Sequence, residues 1–567
     1  MGHFGQGFSH KAMRNTAVLG IPQPNAEPCG LRVGVVLDHP SPPRWVKQAL
    51  DEIVACPTLE LVAIVTGHPG ATEELNSVGE GSPALFRLWA SLDYMARHTG
   101  DSALSPTHLP VHDYPGTLIQ LDGVEVSAGD LESVKNAGVE VLVDLSHTQL
   151  GSKLHSAAAY GVLRFGSGAR CEQTVSTESW NHDEACFEVV DEVHAYDGLG
   201  TQRILGRASA IRNPLSLYRV HDLVGWRRPA FLVRKLREIG QHGWEETWSQ
   251  AESPGQIARG NRDTSSGNLA TMRALGRTLV DGVTRVMKRQ CMHAQWFIAL
   301  RESTETPGLK DNVNGFHIIR PPRGRYYADP FLIKHRDKHY IFFEDYILKQ
   351  RKGVISYMPY IPGVGYGEAK VALETEYHLS YPLIFHWQGE IFMMPETSKA
   401  RRIEVFRAVE FPGKWQREAV LINNVVAYDP TLVEYDGKFW LFFSGMVRHG
   451  GENQDLWLYY SDTPFGKWHA HPQNPIVSDV RRARPAGCIF MEDGHLYRPG
   501  QDCTRVYGHA VSLNLIEVLT TTRYSERTVG RIGPNWLPGN VGTHTFNRNG
   551  TVQVIDGRVW VPRWGTR

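Results

Sequence analysis

The chain has 567 residues, of which 41% are hydrophobic, 10% aromatic and 21% charged, enough for two or three domains with proper cores. Sixty Lys and Arg balance sixty Asp and Glu, so no net field points to nucleic acid or to a membrane. The seven cysteines (Cys29, Cys56, Cys171, Cys186, Cys291, Cys488 and Cys503) are odd in number and never form a CxxC pair, which argues for a reducing cytoplasm over a disulfide framework.

Residues 1–30 lack an apolar stretch ahead of a cleavage site and read as a flexible tail. No run approaches the ~18–20 apolar residues of a transmembrane helix. The run from Leu31 to Leu37 predicts a buried strand, ending at Asp38-His39-Pro40. Val46, Ala49, Leu50 and Ile53 then recur at helical spacing, and Leu59 to Val65 predicts a second strand. Strand, helix, strand in this order is a βαβ unit, and its continuous apolar runs suit a parallel sheet covered on both faces. A further strand is expected at Val139–Asp144, a helix through Leu154 and Ala158, and a strand at 162–165. No GxGxxG follows the first strand, so no dinucleotide site is expected. Asp38, Asp144 and His147 read as solvated strand-end residues.

Two short motifs in this region resemble the methionyl-tRNA and sugar formyltransferase family. Tyr160-Gly-Val-Leu-Arg-Phe-Gly-Ser-Gly168 is similar to the family's active strand, Gly-x-Ile-Asn-x-His-x-Ser, and Gly198-Leu-Gly-Thr-Gln-Arg-Ile-Leu205 to its Gly-Leu-Asp-Thr-Gly-Asp-x-Leu. Aligned without gaps, Arg164 stands for Asn, Gly166 for His, Gly168 for Ser and Gly200 for the catalytic Asp. Formyl transfer of this kind needs a positioned His and Asn for the developing oxyanion and a carboxylate to tune the His. The resemblance therefore implies a Rossmann-like formyltransferase-type α/β domain over residues 31–210 that has lost its catalytic groups. Formyl-tetrahydrofolate would be a cofactor only under the alternative reading, an active formyltransferase on an amino sugar; otherwise no cofactor is expected.

Residues 211–295 read as a helical connector, with helices at 215–224 and 230–239 and a polar Gly/Ser loop from Ser253 to Asn268. Met272, Leu275, Leu279, Val283, Val286 and Met287 then recur with a period near 3.6. Arg273, Arg277, Arg285, Lys288 and Arg289 occupy the opposite side. The favoured reading is a helix packed on its own domain with a solvated basic face; the alternative is peripheral contact with an anionic membrane.

From residue 296 the sequence becomes strand-rich and repeats itself. Asp329-Pro-Phe-Leu-Ile precedes Tyr340-Ile-Phe-Phe-Glu344, and Tyr381-Pro-Leu-Ile-Phe precedes Ile391-Phe-Met-Met-Pro-Glu396. Asp429-Pro-Thr-Leu-Val precedes Phe439-Trp-Leu-Phe-Phe-Ser444, and Arg484-Pro-Ala-Gly-Cys precedes Leu496-Tyr-Arg-Pro-Gly-Gln501. The residue before each Pro and the terminal polar residue lie 15 apart in three copies and 17 in the fourth. Turns are expected at Asp337-Lys338, Gln388-Gly389, Asp436-Gly437 and Asp493-Gly494, Asp-Gly being a favoured hairpin turn. A weaker fifth copy starts at His544, with a turn expected at Asp556-Gly557. Anchors 48 to 60 residues apart, with several strands in each interval, are the signature of propeller blades. An all-β five-bladed propeller over 296–567 would point Asp329, Tyr381, Asp429, Arg484 and His544 into its funnel, joined by Glu344, Glu396, Ser444 and Gln501.

Tyr327-Ala-Asp-Pro-Phe331 and Tyr428-Asp-Pro-Thr431 resemble inner-strand motifs of the five-bladed glycoside hydrolases of family 43. Met394-Pro-Glu-Thr-Ser398, Phe411-Pro-Gly-Lys-Trp415, Ala483-Arg-Pro-Ala-Gly487 and Arg498-Pro-Gly-Gln-Asp-Cys503 complete a closer resemblance. It is to the propeller that precedes the glycosyltransferase domain in glucosamine inositolphosphorylceramide transferases. No glycosyltransferase domain follows the propeller here, so transferase activity is not carried over. The glycosidase resemblance implies Asp329 as base, Glu396 as acid and Asp429 as the group that tunes the acid. Arg484 and Arg498 would bind hydroxyls or anions through their planar forks. Tyr326, Tyr327 and Trp387 would stack on sugar rings, and Glu344, Tyr381, Gln501, Asp502 and His544 would complete the binding set. The opposing reading is that Arg484 neutralises Asp329 and Asp429 across the funnel. No HExxH occurs, so no metal site is expected. The expected partner is a sugar, nucleotide sugar or glycolipid, with no nucleic acid, in a cytoplasmic protein of glycan biosynthesis. A non-catalytic two-domain scaffold is the third reading, and oligomeric state is not readable.

Overall fold

The computed structural model of the chain describes residues 30–67, 84–121, 126–146, 152–167, 188–211, 216–254, 268–309, 313–445 and 453–563. The chain divides into two compact units, residues 25–282 and, from Val283 onward, a second.

The first unit is built on a seven-stranded sheet. Its strands are β1 (Leu31–Leu37), β2 (Leu59–Thr66), β3 (Thr117–Gln120), β4 (Val141–Asp144), β5 (Gly161–Ser167), β6 (Glu188–Tyr196) and β7 (Gln202–Ile211). They lie in the order β3-β2-β1-β4-β5-β6-β7. The first five are parallel, whereas β6 and β7 run antiparallel to their neighbours. The helices are α1 (Arg44–Ala55), α2 (Ala84–Arg97), α3 (Ala128–Asn136), α4 (Leu217–His242) and α5 (Trp244–Gln250); α6 (Asn268–Cys291) begins in this unit and ends in the second.

Helix α1 stops where Pro57 drives Cys56 into an extended conformation. Its buried face, Val46, Ala49, Leu50 and Ile53, joins α4 and the alternate strand residues Val33, Val35 and Leu37 in one core. Val36, Val62, Val65, Ile119 and Leu142 turn to the other face, where Val134 of α3 and Leu154 cover them. The sheet is thus buried on both sides, as its unbroken apolar strands require.

Three expectations change here. The two helices expected at 215–224 and 230–239 are one, α4, with Pro229 inside it. Trp226, Phe231, Leu232, Leu236 and Ile239 are buried in the first unit's core, and that packing carries the helix past the hydrogen bond Pro cannot make. Asp144 is buried rather than solvated; His147 and Gly168 lie outside the described residues. Finally, α6 does not cover its apolar stripe: Met272, Leu279, Val280, Val283, Val286 and Met287 are all exposed.

The second unit is a five-bladed propeller. Four blades are hydrogen-bonded sheets in simple chain order, with innermost strands Arg325–His335, Ser380–Trp387, Ala427–Tyr435 and Phe490–Glu492. The fifth is composite. Phe546–Asn549 and Val552–Pro562 are completed by Met292–Glu302 and His317–Ile319 from the start of the unit. Val552–Pro562 pairs with Met292–Glu302 residue for residue along its whole length, so closure of the ring ties the two ends of the unit together and removes a free sheet edge.

The hairpin turns at Gln388-Gly389, Asp436-Gly437 and Asp493-Gly494 have positive φ at both positions, the reason for their sequence preference. In the first blade the turn is Arg336-Asp337, one residue earlier than expected. In the fifth blade Asp556-Gly557 is not a turn. It lies within Val552–Pro562, and the chain reverses at Gly550-Thr551 instead.

Candidate functional site

The residue before Pro is special in three blades. Asp329, Tyr381 and Asp429 have φ of 50°, 48° and 51°. Each sits where strand register slips, between Ala328 and Phe331, Ser380 and Leu383, and Tyr428 and Thr431. A bulge with one left-handed residue re-aims that side chain away from the alternating pattern of the strand. The same device therefore turns three different side chains toward the hub of the ring.

In the hub, Asp429 is fully enclosed. Its carboxylate accepts from Arg484 Nε at 2.6 Å and a second Arg484 nitrogen at 3.3 Å, and from Gln501 Nε2 at 2.7 Å. Its backbone N–H donates to Glu396 Oε2 at 3.2 Å. Glu396 also accepts from Ser398 Oγ at 2.7 Å and lies 3.6 Å from Arg484. Arg484 donates to Asn453 and lies over the rings of Tyr428 and Tyr507, 5.1 and 5.0 Å from their centroids. Burial pushes the Asp429 carboxyl up to about 7; Arg484 opposes that and Glu396 adds to it.

A second cluster surrounds Asp329. Thr545 Oγ1 donates to it at 2.7 Å, and His544 Nε2 lies 3.6 Å away. The other ring nitrogen of His544, Nδ1, meets the carboxylate of Asp556, which also accepts the backbone N–H groups of His544 and Thr545. Trp296 stacks on the imidazole at 4.1 Å. Burial pushes Asp329 up to about 6, with His544 opposing and Asp429 reinforcing. For His544 burial disfavours the cation, yet Asp556 and Asp329 outweigh it and the pKa rises. Glu344, paired with Tyr326 at 3.4 Å, is driven well above the carboxylate range by burial and then by Asp329 and Glu396. Asp329, His544 and Asp556 also bring three ligand atoms within 4.8 Å of one another, near enough to hold a cation, a grouping not expected from the sequence.

Asp329, Glu344, Glu396, Asp429, Arg484, Gln501 and His544 thus come together. Tyr381 reaches the hub but acts as a strut: its hydroxyl accepts from Gly487 N–H at 2.6 Å and bonds Thr431 Oγ1 at 2.9 Å. Four expected binding residues lie elsewhere. Tyr327 packs on Phe343 within a blade core. Arg498 is held by both carboxylate oxygens of Glu526 at 2.7 Å. Asp502 pairs with Arg531 at 3.0 Å. Trp387 packs on Phe465. Asp556, Tyr507 and Trp296 were not expected. Asp556 was legible as the polar end of the fifth copy, once its hairpin is allowed to be shorter.

In the first unit, Arg164, Gly166 and Gly200 each have a structural setting. Arg164 lies 3.9 Å from Asp144 on the adjacent strand, and burial raises Asp144 to about 6. A Cβ at Gly166 would collide with the ring of His194. That ring bonds Glu192 at 2.7 Å and Gln202 at 2.8 Å. Gly200 has φ of 79° in the turn between β6 and β7, where Asp197 accepts from Leu199 and Thr201 N–H.

A closed ring of blades with a buried carboxyl-rich hub defines the class: a five-bladed propeller with a polar centre. Residues 321–533 match the family described as glucosamine inositolphosphorylceramide transferase 1, N-terminal. The rice (Oryza sativa subsp. japonica) glucosamine inositolphosphorylceramide transferase 1 is 42% identical over 244 residues, 41% of this chain and 33% of that protein. The Arabidopsis thaliana protein of that name is 38% identical over 203 residues, 35% of this chain and 26% of its own length. The match thus spans a third or less of those curated relatives. Among solved structures, a family 117 glycoside hydrolase from Zobellia galactanivorans aligns with 13% identity and a TM-score of 0.31, over 47% of this chain and 90% of that one.

Proposed function

We propose that the propeller binds or processes a saccharide or sugar-bearing lipid in glycan biosynthesis, with its site in the hub. The observation that carries the reading is the set of Asp329, Glu344, Glu396 and Asp429, buried carboxyls from three successive blades. Burial leaves Asp329 near 6 and Asp429 near 7, the range in which a carboxyl group trades protons at neutral pH. The glycolipid part rests on the names of the curated relatives and their similarity over 321–533.

In this reading Asp329 is the base, oriented through His544 and Asp556, and Glu396 is the acid beside Asp429. Arg484 and Gln501 hold Asp429, Asn453 holds Arg484, and together they border the sugar. The first unit is a formyltransferase-like shell without the family's catalytic residues. One observation favours the second reading, an active formyltransferase: an imidazole, that of His194, stands over Gly166.

The test is turnover of activated glycoside and nucleotide-sugar donors. Asp329→Asn and Glu396→Gln should each lower the rate on the order of 10²–10⁴-fold with the circular dichroism spectrum unchanged. Turnover equal to wild type in both variants rejects the acid–base assignment.

A further inference from the structure

Helix α6 leaves a wide apolar face uncovered. Six apolar side chains, Met272, Leu279, Val280, Val283, Val286 and Met287, are between 51% and 69% exposed. At 3.6 residues per turn these positions and Leu275 form one arc about 140° wide. Arg273, Arg277 and Lys288 lie outside that arc and are exposed as well. The helix sequence holds five Lys and Arg against one Asp, a local net charge of +4 in a chain whose total is zero. Beside its start, α2 presents a matching stripe: Leu88, Leu92 and Met95 are 51–67% exposed. The two helices meet at their first residues, where Leu85 N–H donates to Asn268 Oδ1 at 3.2 Å.

A stripe this wide, left in water, opposes the usual rule that an amphipathic helix turns its apolar face to a core. Two occupants would cover it. A second copy would bring together two helices of charge +4, with like charges facing across a wide seam that lacks the narrow a/d pattern of a coiled coil. An anionic bilayer instead takes the apolar arc into its interface and meets the basic side chains with lipid headgroups. We infer that α6, with the exposed stripe of α2, is a docking surface for anionic lipid bilayers. No described helix is long and apolar enough to cross a membrane; this surface lies on one.

The experiment is co-sedimentation of the full chain with vesicles of phosphatidylcholine alone and of phosphatidylcholine with phosphatidylserine. Wild type should pellet with the anionic vesicles and stay in solution with the neutral ones, with binding weakening as salt is raised. Each basic residue near such a surface is worth about a fivefold change in partitioning, so Arg273→Gln/Arg277→Gln/Lys288→Gln should lower it on the order of 100-fold. Leu279→Gln/Val283→Gln should abolish binding with the circular dichroism spectrum unchanged. Equal binding to neutral vesicles overturns the inference, as does no binding to anionic ones. Sedimentation velocity detects the other occupant: a wild-type dimer that Leu279→Gln/Val283→Gln dissociates, without vesicle binding, assigns the stripe to a second copy and overturns the proposal. None of these outcomes touches the hub reading.

Discussion

The two units both set polar side chains into buried strands, but they organise them by different rules. In the propeller one backbone device is repeated and its residue varied: the left-handed bulge before Pro carries Asp329, Tyr381 or Asp429. In the α/β unit each polar group described has its own partner: Asp144 faces Arg164 on the adjacent strand, and the His194 ring, packed over Gly166, bonds Glu192 and Gln202. Repetition makes a position meaningful before its chemistry is known. A single strand read in isolation leaves out what the next strand places against it.

The largest effect is expected from removing the cation at the hub. Arg484→Met leaves Asp429 and Glu396 without their shared partner in a desolvated site. It should cost about 3–5 kcal/mol in denaturant unfolding of the propeller. A loss below about 1 kcal/mol would mean that the hub is wet and the pair is ordinary surface electrostatics.

Next in size is a pH effect. Asp329 and Asp429 have folded-state pKa values raised to about 6 and about 7, so the folded protein holds these protons more tightly than the unfolded chain. Their cost is absent near pH 4, grows as the unfolded carboxyls ionise, and is complete above about pH 7. His544, also raised, acts in the same direction, since its cationic contribution is lost as pH climbs through its folded value. Propeller stability should therefore fall between about pH 4.5 and 7. Asp329→Asn should remove on the order of 2–3 kcal/mol of that fall, read as the difference between variant and wild type above pH 7. A slope unchanged in the variant would show that Asp329 does not titrate there.

In the α/β unit, Gly166→Ala places a methyl group against the His194 ring, which Glu192 and Gln202 hold in place. Overpacking of this kind should cost about 1–3 kcal/mol in thermal or urea unfolding. A neutral result would mean that the imidazole moves freely. The smallest effect is expected from Tyr381→Phe. It removes the hydroxyl that accepts from Gly487 and bonds Thr431, at about 1–2 kcal/mol, and should leave saccharide binding intact if Tyr381 is a strut.

Much of the propeller was legible because the anchors, the Asp-Gly turns and the polar strand ends recur together. What failed did so for local geometric reasons. Arg498 and Asp502 share a family motif with Gln501, but side chains alternate along a strand. Gln501 meets Asp429 while Arg498 and Asp502 turn to Glu526 and Arg531. Tyr327 was placed in the funnel by its motif, although it packs inside a blade. Asp556 was hidden by the assumption that Asp-Gly must be a turn; within a strand it instead orients His544. Tyr507 and Trp296 belong to no repeat and left no periodic signal. The helical period of α6 was plain, yet a period reports that a face is apolar and is silent on whether anything covers it.

The central claim is that function resides in the hub. It is tested most directly by calorimetric titration of nucleotide sugars, amino sugars and folates into three proteins. These are wild type, Asp329→Asn/Glu396→Gln in the propeller, and Arg164→Ala in the α/β unit. A sugar should bind wild type and Arg164→Ala alike and fail on the hub variant. Folate binding that survives the hub substitutions and is lost in Arg164→Ala would contradict it, and would return the activity to the α/β unit.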